Sequence, residues 1–318
     1  MGTFKVKFKV LSSVITPFQA DTIWGHIAWA CYYIWGEKKC KDFIQSHREG
    51  NPTLVSNAYP DGFMPVPYIP FVGGSDEVTD SEIFKRVKKR NLMRVENFEK
   101  IKDGLSSVKL FDVLKREIED EARKDKKFVN FVSETMSETI LRNKIDRLSF
   151  TTTEMGELFA TEETFYNFDV SMWFVIRTEF FSKGEIEMIL KCIELNGFGA
   201  DASVGKGRIK FTQLTEQGLP EAKDGNAFMS LSNFVPAERE FVEFEDAWYK
   251  LFVKFPKVGG YFALIDPFKK PILFFEAGSV FKVSKVKDYY GRLVENVHSN
   301  QDIVQYAYAF PVKVKLEV

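Results

Sequence analysis

The chain opens with a two-residue rhythm. Phe4, Val6, Phe8 and Val10 alternate with Lys5, Lys7 and Lys9, which predicts a strand with one buried and one wet face. Pro17 ends the following connection, and Asp21 is placed to cap the next helix. There Ile23, Ile27, Cys31 and Ile34 form one apolar stripe, and Trp24, Ala28, Cys31 and Trp35 a neighbouring one. So wide an apolar arc predicts a helix buried on more than one side. Residues 50–80 read as loop, being rich in proline (Pro52, Pro60, Pro65, Pro67, Pro70) and glycine. From Phe84 to Lys127 the pattern is helical, with Leu110, Phe111, Leu114 and Ile118 on one stripe. The stretch 139–178 is rich in Thr, Phe and Tyr and reads as strands and a hairpin. Ser182 and Glu185 form a capping box ahead of the stripe Ile186, Ile189, Leu190 and Ile193, with Gly197 as terminator. A strand follows near Arg208–Leu214. Four more are expected at 227–235, 248–255, 272–283 and 306–318.

The order β, α, long insertion, β, β, α, β is the ferredoxin-like arrangement. An α+β chain of two ferredoxin-like (RRM-like) domains is therefore expected. The first spans 1–218, with a helical insertion at about 60–138 and a β-hairpin thumb at about 140–166. The second spans 219–318. No short repeat is visible.

Composition narrows the function. The 318 residues carry 45% hydrophobic and 28% charged residues, as in ordinary globular proteins. Three scattered cysteines (Cys31, Cys40, Cys192) exclude a disulfide framework. With no signal-peptide pattern or membrane-length apolar run, a cytoplasmic location is expected. His26, His47 and His298 are the only histidines, so neither a metal nor another cofactor is implied. A net charge of −1 argues against a loose, charge-driven nucleic-acid binder. It leaves room for local basic faces. One runs from 84 to 127, where Lys and Arg exceed Asp and Glu by six; within it, Lys85–Arg90 reads as a solvated face. The acidic clusters Glu117–Glu121 and Glu238–Asp246 also read as surface. Phenylalanine is unusually common, at 32 residues, which suits a packed β-rich core or a stacking surface.

The richest segment is Gly197-Phe-Gly-Ala-Asp-Ala-Ser-Val-Gly-Lys-Gly-Arg208. It contains G-x-G-x-x-A, yet it follows a helix and feeds a strand, the reverse of a dinucleotide-binding loop. That order argues against a nucleotide-binding oxidoreductase. A P-loop is excluded because Gly207 and Arg208 follow the Gly-Lys pair. Four glycines let bare backbone approach a ligand and let successive N–H groups form an anion-binding nest, with Lys206, Arg208 and Ser203 beside it. An ordinary helix cap and bulge is the alternative.

This loop resembles the glycine-rich signature of the RAMP superfamily of CRISPR proteins. Ala20-Asp-Thr-Ile-Trp-Gly-His-Ile-Ala-Trp29 resembles the first helix of these proteins. Arg142-Asn-Lys-Ile-Asp-Arg147, with Gly156-Glu-Leu-Phe159 and Glu163, resembles the hairpin of the type III members. Together with Lys270-Pro-Ile and Glu276-Ala-Gly-Ser-Val-Phe281, they are similar to the 5′-end capping subunits of type III-A (Csm) effector complexes.

The resemblance implies a non-catalytic subunit that holds the crRNA 5′ tag. It implies two protein partners, the large polymerase-like subunit and a backbone RAMP subunit. Target RNA would pass near the tag–spacer junction, and no membrane is involved. The implied RNA-binding residues are Gly197, Phe198, Gly199, Ala200, Asp201, Ser203, Gly205, Lys206, Gly207 and Arg208 in the loop. Arg142, Lys144 and Arg147 join them from a thumb with an apolar tip, and Thr22 and His26 from the first helix. Two alternatives stay open: a RAMP endoribonuclease using His26 as general acid/base, and the equivalent subunit of a type III-B (Cmr) complex.

Overall fold

The computed structural model describes residues 1–71, 81–123, 135–143, 145, 148–149, 151, 158–260 and 266–317. Lys144 and Arg147 lie outside them, as does most of the expected thumb tip. The α+β class holds. β1 (Gly2–Val10) buries Phe4, Val6, Phe8 and Val10 and turns its lysines outward, as its alternation dictates. It is flanked by β8 (Ser171–Thr178) and β9 (Ile209–Glu216), both antiparallel. β2 (Leu54–Val55) and β3 (Tyr59–Pro60) pair with the far side of β8, giving the order β2-β8-β1-β9. This is the ferredoxin-like order. β2, β3 and β4 (Phe63–Pro65) lie in the stretch read as loop, because prolines hide strands this short.

One face of the sheet is covered by α1 (Ala20–Trp35), which buries Ile23, Trp24, Ile27, Ala30 and Cys31, and by the helix Lys183–Asn196, whose Ile193 lies beside Ile23 and Phe8. α2 (Glu37–Arg48) folds back along α1, where Trp24 Nε1 donates to His47 Nε2 at 2.9 Å. Asp21 does not cap α1. The N-cap is Gln19, and the Asp21 carboxylate instead accepts from Lys254 Nζ (2.7 Å) and Gln305 Nε2 (2.6 Å). The half-buried Lys254 cation engages it. The insertion contains α3 (Ser81–Lys89), β5 (Leu92–Arg94), which pairs with β4, α4 (Val95–Ile101) and α5 (Ser107–Arg123). Lys85, Arg86, Lys88 and Lys89 are exposed, and the surface readings fail there at Glu117 and Arg90. Glu117 is buried and accepts from Arg90 (3.0 Å), Asn97 (2.7 Å) and the Arg94 N–H (3.0 Å), so Arg90 closes an internal ion pair. Glu240, in the other acidic cluster, is also buried and accepts from the Gly291 N–H at 2.9 Å. β6 (Met136–Asn143) and β7 (Leu158–Phe165) form the expected hairpin. The helix opened by the Ser182–Glu185 capping box, here α6, runs Lys183–Asn196 and ends at Gly197.

The rest of the chain is strand-rich. β10 (Ala227–Ser230), β11 (Phe244–Trp248), β14 (Val280–Val283) and β17 (Pro311–Val314) form an antiparallel sheet ordered β11-β14-β10-β17. β12 (Leu251–Lys254) pairs with β13 (Ile272–Phe275), and β15 (Tyr290–Val294) with β16 (Gln305–Ala309). Among the described residues no α-helix follows Asn196. Aromatic rings pack a core cluster of this half: Phe228 stacks on Tyr290 at 3.9 Å and on Phe281 at 5.2 Å. That is where much of the phenylalanine goes. The halves share one core. Tyr306 of β16 stacks on Trp24 of α1 at 5.4 Å, and its hydroxyl accepts from the Val55 N–H at 2.9 Å.

Candidate nucleic-acid interface

The glycine loop leaves α6 through Gly197, whose φ of +80° turns the chain out of the helix. Phe198 then buries its ring against Phe18 (4.6 Å) and His26 (4.6 Å, stacked). The Gly199 N–H donates to His26 Nε2 at 2.9 Å, and the Ala200 N–H to Thr16 Oγ1 at 3.0 Å. Gly199 has φ +78°, and a Cβ there would stand 2.6 Å from that of Thr16. The loop closes when the Phe198 N–H donates to Gly207 O (2.9 Å) and the Gly207 N–H to Ser13 O (2.8 Å). The Arg208 N–H donates to Ser12 Oγ at 2.8 Å and starts β9.

Inside this frame Asp201 is left-handed (φ 59°, ψ 23°) and Ala202–Val204 form a 3-10 turn. Asp201 O accepts the N–H groups of Val204 and Lys206, and Ala202 O accepts that of Gly205. The N–H groups of Asp201, Ala202 and Ser203 donate to no described residue. Left-handed followed by right-handed backbone turns three such groups toward one point, an anion-binding nest. Ser203, Gly205 and Arg208 are exposed beside it, and Arg208 has no described ion-pair partner. With Leu11, Asn196 and Lys210 they line an open groove.

The two other described cations of the implied set, Arg142 and Lys206, face inward. Glu163 of β7 is buried, and its carboxylate accepts from Arg142, from Lys206 (2.5 Å) and from Ser13 Oγ (2.6 Å). Arg142 also reaches Asp201 at 2.7 Å. Burial would raise the Glu163 pKa, but the hydrogen bonds from Lys206, Ser13 and Arg142 outweigh it and hold the carboxyl below its usual range. This hub fastens the hairpin root to the loop. Thr22 sits half-buried in the first turn of α1, its N–H donating to Gln19 O at 3.0 Å.

His26 is engaged as a brace. Accepting from Gly199 requires a neutral ring with its proton on Nδ1, and burial pushes its pKa down to about 4. In this arrangement Nε2 holds the loop and has no lone pair free for RNA cleavage. A depressed histidine favours the folded state while neutral. Its contribution is complete above the unfolded pKa of about 6.5 and drains away as pH falls toward the folded value of about 4. Amide exchange at Gly199 and Ala200, corrected for intrinsic rates, should therefore become less protected between pH 6.5 and 4. His26→Gln, which cannot gain a proton, should flatten that change; an equal pH response in both proteins would disprove the brace.

Sequence reasoning passed over Ser12, Ser13 and Thr16, which anchor the loop from the far side. Their signal was weak: a Ser-Ser pair at the end of a strand and a threonine before Pro17.

The family model for RAMPs, the RAMP superfamily, matches residues 14–210, more than half of the chain. The chain belongs to the RAMP superfamily. The match takes in Thr16, the hairpin, the glycine loop and the start of β9, so all of this RAMP site except the Ser12 and Ser13 anchors lies within the segment that defines the family. Among solved structures, the RAMP chain is similar to one in a Csm1-Csm4 cassette in complex with AMPPNP. There the TM-score is 0.59 at 17% identity, covering 99% of both chains. It is similar also to one in a Csm3-Csm4 subcomplex of the type III-A CRISPR-Cas interference complex, with TM-score 0.57 and 17% identity, covering 99% of this chain and 100% of that one. At that identity the likeness is one of fold, and the matched fold is that of Csm4, the component both complexes share. No curated protein matches the sequence. Among the described residues no helix is long and apolar enough to cross a membrane, and no cluster of metal-ligating side chains occurs.

Proposed function

We propose that this RAMP protein is a non-catalytic crRNA-binding subunit of a Csm-type effector complex, holding the 5′ tag at the glycine loop. The observation that carries the reading is the nest at Asp201–Ser203, with three N–H groups that have no partner among the described residues, beside the exposed Arg208. Backbone donors and a guanidinium suit phosphate, and they bind it without reading sequence. The full-length likeness to Csm4 supports the assembly role. In this reading one partner is a large polymerase-like subunit and another a backbone RAMP subunit. The hairpin is the thumb that meets target RNA near the tag–spacer junction, through exposed Leu141, Leu158 and Phe159.

The test is copurification. The tagged protein, expressed with its neighbouring subunits and a repeat array, should carry crRNAs sharing one 5′ end. Gly205 is the position to alter, because a Cβ there meets no described residue within 4 Å. Gly205→Phe and Arg208→Glu should each lower RNA retention about tenfold while the protein neighbours stay bound. Full RNA occupancy in both variants would defeat the proposal.

A further inference from the structure

The lysines of β1 are not equivalent. Lys7 pairs with Asp61 at 2.7 Å; Lys5 lies 3.9 Å from the same carboxylate and 4.5 Å above the Trp173 ring. Lys9 has no ion pair with a described residue. The β1–β9 register sets it directly opposite Lys210, which has none either. Their neighbours Phe8, Val10, Ile209 and Phe211 point into the core, so both lysines project from the outer face. The Leu11 N–H donates to Arg208 O at 2.7 Å, which continues the ladder. Arg208 thus precedes Lys210 at the i, i+2 spacing of one strand face.

Like charges directly opposite on a sheet destabilise it. Glu194, which lines the same groove as Lys210, is engaged by Lys191 (2.7 Å) and the Phe211 N–H (3.2 Å); Lys210 acts on it only through its field. At this end of the sheet the Lys9–Lys210 repulsion is offset only through the field of Glu194 on Lys210, with no ion pair to either lysine among the described residues. Lys210 lines the same groove as Arg208 and Ser203.

We infer that Lys9 and Lys210 form a second phosphate-binding step, on which the backbone of a single-stranded RNA continues after leaving the nest and Arg208. The inference rests on the RNA-binding reading of the loop. Its chemistry is charge only. Two ammonium groups on a rigid sheet, contiguous with an anion-binding turn, follow a sugar–phosphate chain without reading bases.

The test uses the full chain and a fluorescein-labelled single-stranded RNA of about twelve nucleotides, followed by anisotropy across a salt series. Lys9→Ala/Lys210→Ala should weaken binding about tenfold and make the log–log salt slope shallower by about 1.4, the loss of two phosphate contacts. Its thermal stability should be unchanged or raised, because the repulsion is gone. Lys38→Ala, on the exposed side of α2, should change neither. If Gly205→Phe weakens binding and the double variant does not, the lysine step is overturned while the loop reading stands. If the unaltered chain binds no RNA, both fall. If the double variant keeps RNA but loses a neighbouring subunit on copurification, the lysines serve an acidic protein surface and the inference is wrong.

Discussion

Gly207→Ala is expected to cost about 4 kcal/mol of stability and to dismantle the loop. A Cβ at this position would stand 1.8 Å from the Phe198 carbonyl oxygen and 2.8 Å from its carbon. Both are backbone atoms held by the Phe198–Gly207 and Gly207–Ser13 hydrogen bonds, so neither can rotate away. The φ of +63° adds the usual penalty for a left-handed L-residue. Gly205→Ala is the control. It shares the positive φ (+89°) but opens into free space, so only about 1 kcal/mol is expected. Urea denaturation of both variants checks the contrast. Equal losses would mean that the loop yields at Gly207 and is not the rigid frame described.

Glu163→Ala should cost about 3 kcal/mol, chiefly by freeing the hairpin. Without the carboxylate, Arg142 and Lys206 face one another with only Asp201 between them, and Ser13 loses its acceptor. The hub has a pH signature of its own. A carboxyl held below its unfolded pKa stabilises the fold above that pKa, and the benefit is lost as pH falls through the folded value. Acid should therefore loosen this region in two stages: His26 first, below pH 6.5, and Glu163 at lower pH. Hydrogen exchange across β6 and β7 reads the mutation directly. Protection as strong in Glu163→Ala as in the parent would show that the hairpin does not depend on the hub.

Much of the N-terminal half was legible in the chain. The lysine–apolar alternation of β1, the broad stripe of α1 and the capping box of α6 are local patterns, and local geometry answers them. The glycine loop could be located because its spacing, between a helix end and a strand, is itself a local feature. Its chemistry was harder to read. Lys206 and Arg142 look like free cations in the sequence, and both are spent on Glu163. Arg208, one residue from Gly207, faces the groove.

The reason is distance along the chain. Arg142 and Asp201 are 59 residues apart, Lys206 and Ser13 193, and Asp21 and Gln305 284. Which carboxylate neutralises which cation depends on long-range packing that no periodicity encodes. The same holds for Asp21, a natural cap whose helix end lies beside Lys254. By itself the sequence determined β1, α1, the hairpin, α6 and β9 in their order and the position of the loop, while the outer strands β2 and β3 of the first sheet were hidden in its proline-rich stretch. Only the tertiary structure decided which charges stay available to a ligand, because pairing is set by proximity in space and by the cost of burying a charge alone.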